Sequence, residues 1–209
     1  MVRLETAALR AWILALPGVF SANLERLNAL DARAGDGDHG TTILRGLKAA
    51  AEAVSGVPAN DAKAVLSAAG SALRRSAGGA SGPLFSCLFL ELAKTAGEDG
   101  LELAGFASGL ANTAAAVSRL GKAQPGDRTM LDAIAPALEA AQSHSDLSGA
   151  LGAAAASALK GVEATASMTA RKGRAQFVNA GQVGSPDAGA ASVALMLQAL
   201  REVALEEAH

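Results

Sequence analysis

Asp31, Asp36 and Asp38 stand within eight residues of one another in the run Leu30-Asp31-Ala32-Arg33-Ala34-Gly35-Asp36-Gly37-Asp38-His39-Gly40-Thr41-Thr42. Carboxylates at that density repel unless a cation sits among them, and hard oxygen ligands suit Mg²⁺ or Ca²⁺. A calcium EF-hand loop is excluded. Counted from Asp36, its sixth position is Thr41 rather than glycine and its twelfth is Leu47 rather than glutamate. Mg²⁺ is commonly held by a few carboxylates together with the phosphates of a substrate, which points to a nucleotide. Asp31 is expected at the end of a helix, where the dipole disfavours a carboxylate and a bound metal would offset that cost. His39, Gly40, Thr41 and Thr42 are expected to open the next helix, whose free N–H groups suit a phosphate. His39 also reads as a plain capping residue.

Three further segments carry polar chemistry. Gly78-Gly79-Ala80-Ser81-Gly82 allows close backbone approach to a ligand, and Ser81 offers a hydroxyl and an N–H. Taken alone, that pattern is common in ordinary turns. Gly121 to Asp132 contains Pro125-Gly126-Asp127, a turn followed by a helix cap or simply a structural corner. Arg174 can grip a phosphate in a fork geometry. Asp187, in Gly184-Ser185-Pro186-Asp187-Ala188-Gly189, can cap the last helix, bind ligand, or do both.

The elements that must position these residues are helices. Helical periodicity predicts segments over about 4–15, 18–31, 41–55, 60–75, 82–96, 101–120, 128–143, 146–166 and 188–207. Leu101, Leu103, Phe106, Leu110 and Ala114 form one apolar stripe, and Asn60-Asp61, Asp127 and Ser145-Asp146 stand where N-caps belong. No strand is expected. The short connections predict antiparallel, up-and-down packing, and the two longest irregular stretches, 121–128 and 167–187, are where function should sit.

A chain of 209 residues suffices for one core, and a single domain over 1–209 is expected. Half the residues are hydrophobic but only 3% are aromatic, with alanine supplying much of the apolar count, as in closely packed helices. A net charge of −2 gives no electrostatic case for nucleic acid or an anionic membrane. The single cysteine, Cys87, excludes an internal disulfide and reads as a small buried hydrophobe. No signal peptide or membrane span is recognised, so a cytoplasmic chain is expected.

In order and spacing, these four segments resemble the nucleotide-binding L subunit of bacterial dihydroxyacetone kinases, also found as the C-terminal domain of single-chain ATP-dependent ones. The resemblance covers essentially the whole chain. Its most specific marks are Leu30 to Thr42 and Pro125-Gly126-Asp127-Arg128-Thr129-Met130-Leu131-Asp132. There is no P-loop or Rossmann signature.

The resemblance implies an all-α, up-and-down barrel of eight helices with the nucleotide at one rim. It implies two Mg²⁺ ions held by Asp31, Asp36 and Asp38, and ADP or ATP contacted by His39, Gly40, Thr41, Thr42, Ala80, Ser81, Gly121, Met130, Arg174, Asp187, Ala188 and Gly189. Arg174 is the implied catalytic residue, and Met130 packs on adenine or merely fills the core. One departure is visible: Ala188 stands where the family usually has proline. The implied activity passes the terminal phosphate of the Mg²⁺-bound nucleotide to dihydroxyacetone on a separate K subunit. ADP is then rephosphorylated in place by a phosphohistidine on an M subunit. A split ATP-dependent kinase for a related ketose such as erythrulose, or a non-catalytic nucleotide-sensing interaction protein, are the alternatives. A homodimer is left open.

Overall fold

The computed structural model describes residues 3–33, 35–58, 60–177 and 184–206. Among them the chain order is β1 (Arg3–Glu5), α1 (Thr6–Ala22), α2 (Leu24–Ala32), α3 (His39–Ser55), α4 (Ala62–Ser76), α5 (Ser81–Thr95), β2 (Gly100–Glu102), α6 (Leu103–Gly121), α7 (Leu131–Gln142), α8 (Leu147–Thr165), a 3-10 turn (Arg174–Phe177) and α9 (Ala188–Glu206). Eight of these helices close a ring. α1 packs on α3, each helix from α3 to α8 packs on its successor, and α9 returns to α1. α2 is the extra member. It breaks from α1 at Asn23 with a bend of 63° and lies against α3 and α9.

The ring is filled by one face of each helix. Trp12 of α1 stacks on Phe89 of α5, with ring centroids 5.1 Å apart, and its indole N–H donates to Met196 O of α9 at 2.9 Å. One fully buried side chain thus ties three helices together. On the other side of the ring, small residues set the spacing. Ala137, Ala141, Ala150, Ala154 and Ala158 are buried between α7, α8 and α9. At Gly161 an added Cβ would lie 2.0 Å from the carbonyl oxygen of Asp132, so only glycine permits α8 to approach α7 there.

Several local expectations are corrected. Residues 4–15 and 18–31 are not two helices parted near Pro17. α1 runs through Pro17 because Trp12, Ile13, Leu16 and Phe20 bury one continuous face across it. Two strands do form, antiparallel β1 and β2 of three residues each, too short to leave a periodic signal. Asp61 and Asp146 cap α4 and α8 by accepting from Ala64 N and Gly149 N. Asp127 does not cap a helix: α7 starts at Leu131, and Asp127 instead accepts from Gln124 N to close a turn. Among the described residues one helix, α9, is long and apolar enough to cross a membrane, contrary to the sequence expectation, but 67% of that stretch is buried within the ring.

Candidate functional site

An up-and-down ring places every second connection at the same rim. The connections 33–38, 77–80, 122–130 and 166–187 therefore share one end, and all four contribute to a single cleft of about 340 Å³. The four separate sequence segments meet there.

Asp31, near the end of α2, folds the first connection back on itself. Its Oδ2 accepts backbone N–H groups from Gly37 at 3.0 Å, Asp38 at 3.1 Å and His39 at 3.3 Å. The tight turn passes through Gly37 at a φ of 75°, a conformation glycine adopts freely. The turn brings the carboxylates of Asp31, Asp36 and Asp38 together, with one oxygen from each within 4.8 Å of the others. Asp36 and Asp38 are exposed, and Arg174 reaches from the last connection to form an ion pair with Asp36. That guanidinium holds the Asp36 carboxyl below its ordinary value. One guanidinium against three carboxylates leaves negative charge in excess, and an all-oxygen donor set of this kind fits a hard divalent cation such as Mg²⁺.

The start of α3 departs from the sequence expectation. The N–H of His39 is taken by Asp31, that of Thr41 by Asn28 Oδ1 at 3.2 Å, and that of Thr42 by the carbonyl of Asp38. Asn28 Nδ2 also donates to the Thr41 hydroxyl at 3.0 Å. Gly40 is buried, and an added Cβ would lie 2.9 Å from both Leu24 O and Asn28 Oδ1. Gly40 and Thr41 therefore lock α3 to α2 and do not line the cleft, whereas His39 and Thr42 do. The His39 ring sits with Nε2 2.8 Å from Ser192 Oγ of α9 and edge-on to Phe85 of α5. Burial pushes its pKa down, against the pull of Asp31 and Asp38, which favours a neutral imidazole that supports the cleft floor.

Ala80, Ser81, Gly121, Met130, Arg174, Asp187, Ala188 and Gly189 all line the cleft. Met130 is 5% exposed and joins Leu84 and Val117 in an apolar wall. Asp187 caps α9, accepting from Ala190 N at 2.7 Å. Burial pushes its carboxyl up to about 6, while the Ala190 and Gly189 N–H groups and the Arg128 charge pull it down. The cleft thus has carboxylates and cations on the α2–α3 side and an apolar wall from α5, α6 and the connection that follows. That is the division a nucleotide requires.

Four residues escaped the sequence reading of the site. Arg45 and Lys172 add positive charge to the cleft. Arg128 is 2% exposed at a φ of 61° and donates to Thr165 O at 3.2 Å and Ser185 O at 2.7 Å, pinning both ends of the 166–187 connection. Asp132 accepts from Thr129 N at 2.7 Å and from Gly126 N, which shapes the turn before Met130. The motif from Pro125 to Asp132 contained Arg128 and Asp132, and their burial was the missing signal.

A sequence profile described as the DAK2 domain matches residues 33–202. The chain belongs to the DAK2 family. Among relatives of this DAK2 chain is the PEP-dependent dihydroxyacetone kinase, ADP-binding subunit DhaL, of Escherichia coli K12. It is 36% identical over 200 residues, spanning 93% of this chain and 95% of that protein. The D-erythrulose kinase of Mycolicibacterium smegmatis is 42% identical over 179 residues, which cover 82% of this chain but 31% of that enzyme. Human triokinase/FMN cyclase is 38% identical, again with 32% of its length covered. Against these larger kinases the DAK2 chain spans about a third of the whole. The crystal structure of dihydroxyacetone kinase from C. freundii in complex with AMP-PNP and Mg²⁺ superposes with a TM-score of 0.69 at 28% identity, covering 93% of this chain and 33% of that one.

Proposed function

We propose that this chain is the nucleotide-carrying subunit of a dihydroxyacetone kinase. The observation that carries the reading is the convergence of three carboxylates, Arg174 and an apolar wall in one cleft. Full-length similarity to the E. coli ADP-binding subunit supports it. In this reading Asp31, Asp36 and Asp38 would hold two Mg²⁺ ions, Met130, Leu84 and Val117 would offer the adenine an apolar wall, and Gly78 to Ser81 with Arg174 would receive the phosphates. Bound Mg²⁺ supplies neutralisation of phosphate charge.

The chain's own residues bind, orient and compensate charge. Arg174 offers a planar fork to a phosphate, Thr42 steadies Asp38 through a hydrogen bond of 3.4 Å, and neutral His39 props the cleft from beneath. Transfer of this kind needs positioning and electrostatic stabilisation rather than a covalent protein nucleophile. The acceptor hydroxyl belongs to dihydroxyacetone carried by a K-type partner subunit. The donor is a phosphohistidine on an M-type partner, and the setting is cytoplasmic. A second reading, an ATP-consuming kinase for erythrulose or a similar ketose, is favoured by the similarity to D-erythrulose kinase.

The test combines the purified chain with its cognate K-type subunit and either dihydroxyacetone or erythrulose, supplied either with a phosphoenolpyruvate-charged phosphohistidine donor or with ATP alone. Dihydroxyacetone phosphate formed only with the first donor supports the main reading, and formation with ATP alone supports the second. No product from any ketose with either donor removes both.

A further inference from the structure

We infer that Phe177, with the cations beside it, is the anchor on which the acceptor-carrying partner docks, and that the matching partner face is an apolar recess edged by carboxylates. This inference rests on the phosphoryl-transfer reading above and names the surface that serves it.

The chain has five phenylalanines and one tryptophan. Trp12, Phe20, Phe85, Phe89 and Phe106 are all buried, whereas Phe177 is 81% exposed. A scattered exposed hydrophobe is ordinary, so its position must carry the weight. Phe177 ends the 3-10 turn that begins at Arg174, and the first two residues of that turn, Arg174 and Ala175, line the cleft. That turn is ordered by two donations to Gly173 O, from Gln176 N at 3.4 Å and Gln176 Nε2 at 2.9 Å. Its approach is fixed where Arg171 N donates to Asp127 O at 3.1 Å. An aromatic ring presented on a held turn loses little entropy when a partner covers it.

The surrounding charge selects the partner. Arg171 and Lys172 precede Phe177 without an intervening acid, and Lys122 from the neighbouring connection lines one groove with them. At the opposite rim, Asp61, Glu98, Asp99, Glu102 and Asp146 are exposed. Beside the cleft Arg45, Lys122, Arg171, Lys172 and Arg174 outnumber Asp31, Asp36, Asp38 and Asp187. At the far end Arg3 is paired with Asp99 while Asp61, Glu98, Glu102 and Asp146 stay exposed, so the net charge of −2 conceals a polarity. Such a field draws an acidic protein face to the nucleotide rim, where transfer needs the acceptor brought close and water expelled.

The test is calorimetric titration of the dihydroxyacetone-loaded cognate K-type subunit into this chain, from about 50 to about 300 mM salt. Phe177→Ala should weaken association by about tenfold or more, and Phe177→Leu by less. The pair Lys122→Glu with Arg171→Glu should weaken it by about tenfold and flatten the salt dependence. In all variants Mg²⁺–ADP affinity should stay within about twofold and the melting temperature should not move. Unchanged docking by Phe177→Ala, retained salt dependence in the charge-reversed pair, or no association of the wild-type chain would each overturn the inference. So would self-association of this chain lost in Phe177→Ala, or retention on heparin without K-type binding. If the wild-type chain fails to bind Mg²⁺–ADP at all, it is the phosphoryl-transfer reading that falls.

Discussion

Arg174 and Asp36, on connections far apart in sequence, form an ion pair that spans the mouth of the cleft. The pair lies at the surface, with side chains 65% and 53% exposed, so its contribution to stability is small. Its consequence is positional. It holds a guanidinium beside three carboxylates, and in the proposed reading the same guanidinium can turn to a phosphate once a divalent cation takes over the carboxylates.

Arg174→Gln should therefore spare the fold and depress transfer. The expected loss of dihydroxyacetone phosphate formation is about 10²–10³-fold, with ADP affinity falling by less than about tenfold. Arg174→Lys should not restore the rate, because an ammonium lacks the planar fork. Initial rates with saturating partner subunits read this, and wild-type turnover by Arg174→Gln would remove Arg174 from the reaction.

The three aspartates should separate in their effects. Asp36→Asn and Asp38→Asn remove a charge from exposed side chains, so Mg²⁺-dependent ADP affinity should drop by about tenfold or more while the melting temperature barely moves. Asp31→Asn keeps one oxygen to accept from Gly37, Asp38 and His39, but it loses the charge assistance of three hydrogen bonds. It should lose ADP affinity and also melt lower. Calorimetry with and without Mg²⁺, beside thermal melts, distinguishes the two patterns. Wild-type affinity in all three variants would refute the metal assignment.

How legible the site was depended on what each residue faces. Asp31, Asp36 and Asp38 stood out because like charges crowded among glycines repel, and the structure does bring one oxygen of each within 4.8 Å of the others. The common rim of the four segments was implied by the family resemblance, and the structure gives its physical reason: antiparallel helices return every second connection to one end. Arg128 did not declare itself: an arginine buried against Thr165 O and Ser185 O leaves no periodic trace. The α2–α3 clamp of Asn28 on Thr41 was equally silent; it occupies the Thr41 N–H and hydroxyl and sets Thr41 against α2. In the fold, the helices and their antiparallel order were legible from helical period, whereas the closed ring came from the family resemblance. The break at Asn23 instead of Pro17 was not, because burial of Trp12, Ile13, Leu16 and Phe20 outweighed the lost hydrogen bond of a proline.

The main reading predicts that ADP stays with the protein. A nucleotide that is rephosphorylated in place must leave slowly, and in this reading Arg174, beside the three carboxylates, offers a means of holding its phosphates. Denaturing the purified protein should release nearly one ADP per chain. Labelled ADP should exchange over minutes or longer on the native protein with Mg²⁺ present. An empty site, or exchange within seconds, would favour the ATP-consuming ketose kinase.

Asp187 should leave a signature in the dependence of stability on pH. Its carboxyl is raised from 3.8 to about 6 by burial, so between those values the native state keeps a proton that the unfolded chain has released. Stability from this group is therefore greatest below about pH 4, falls as pH rises toward about 6, and stays lower above it. The expected loss is about 1–3 kcal/mol, since the residue sits at the cleft wall and Arg128 compensates part of its charge. Asp187→Asn keeps an oxygen to accept from Ala190 N, so α9 remains capped, and it removes the titration. Other carboxyl groups, Asp36 among them, impose slopes of the opposite sign that are common to both proteins. The informative quantity is thus the difference between wild type and variant in melts at about pH 4.5 and about pH 7.5. Relative to wild type, Asp187→Asn should gain stability at the higher pH. A variant that is instead more destabilised there would mean that the ionised carboxylate, held by Arg128, is the stabilising form.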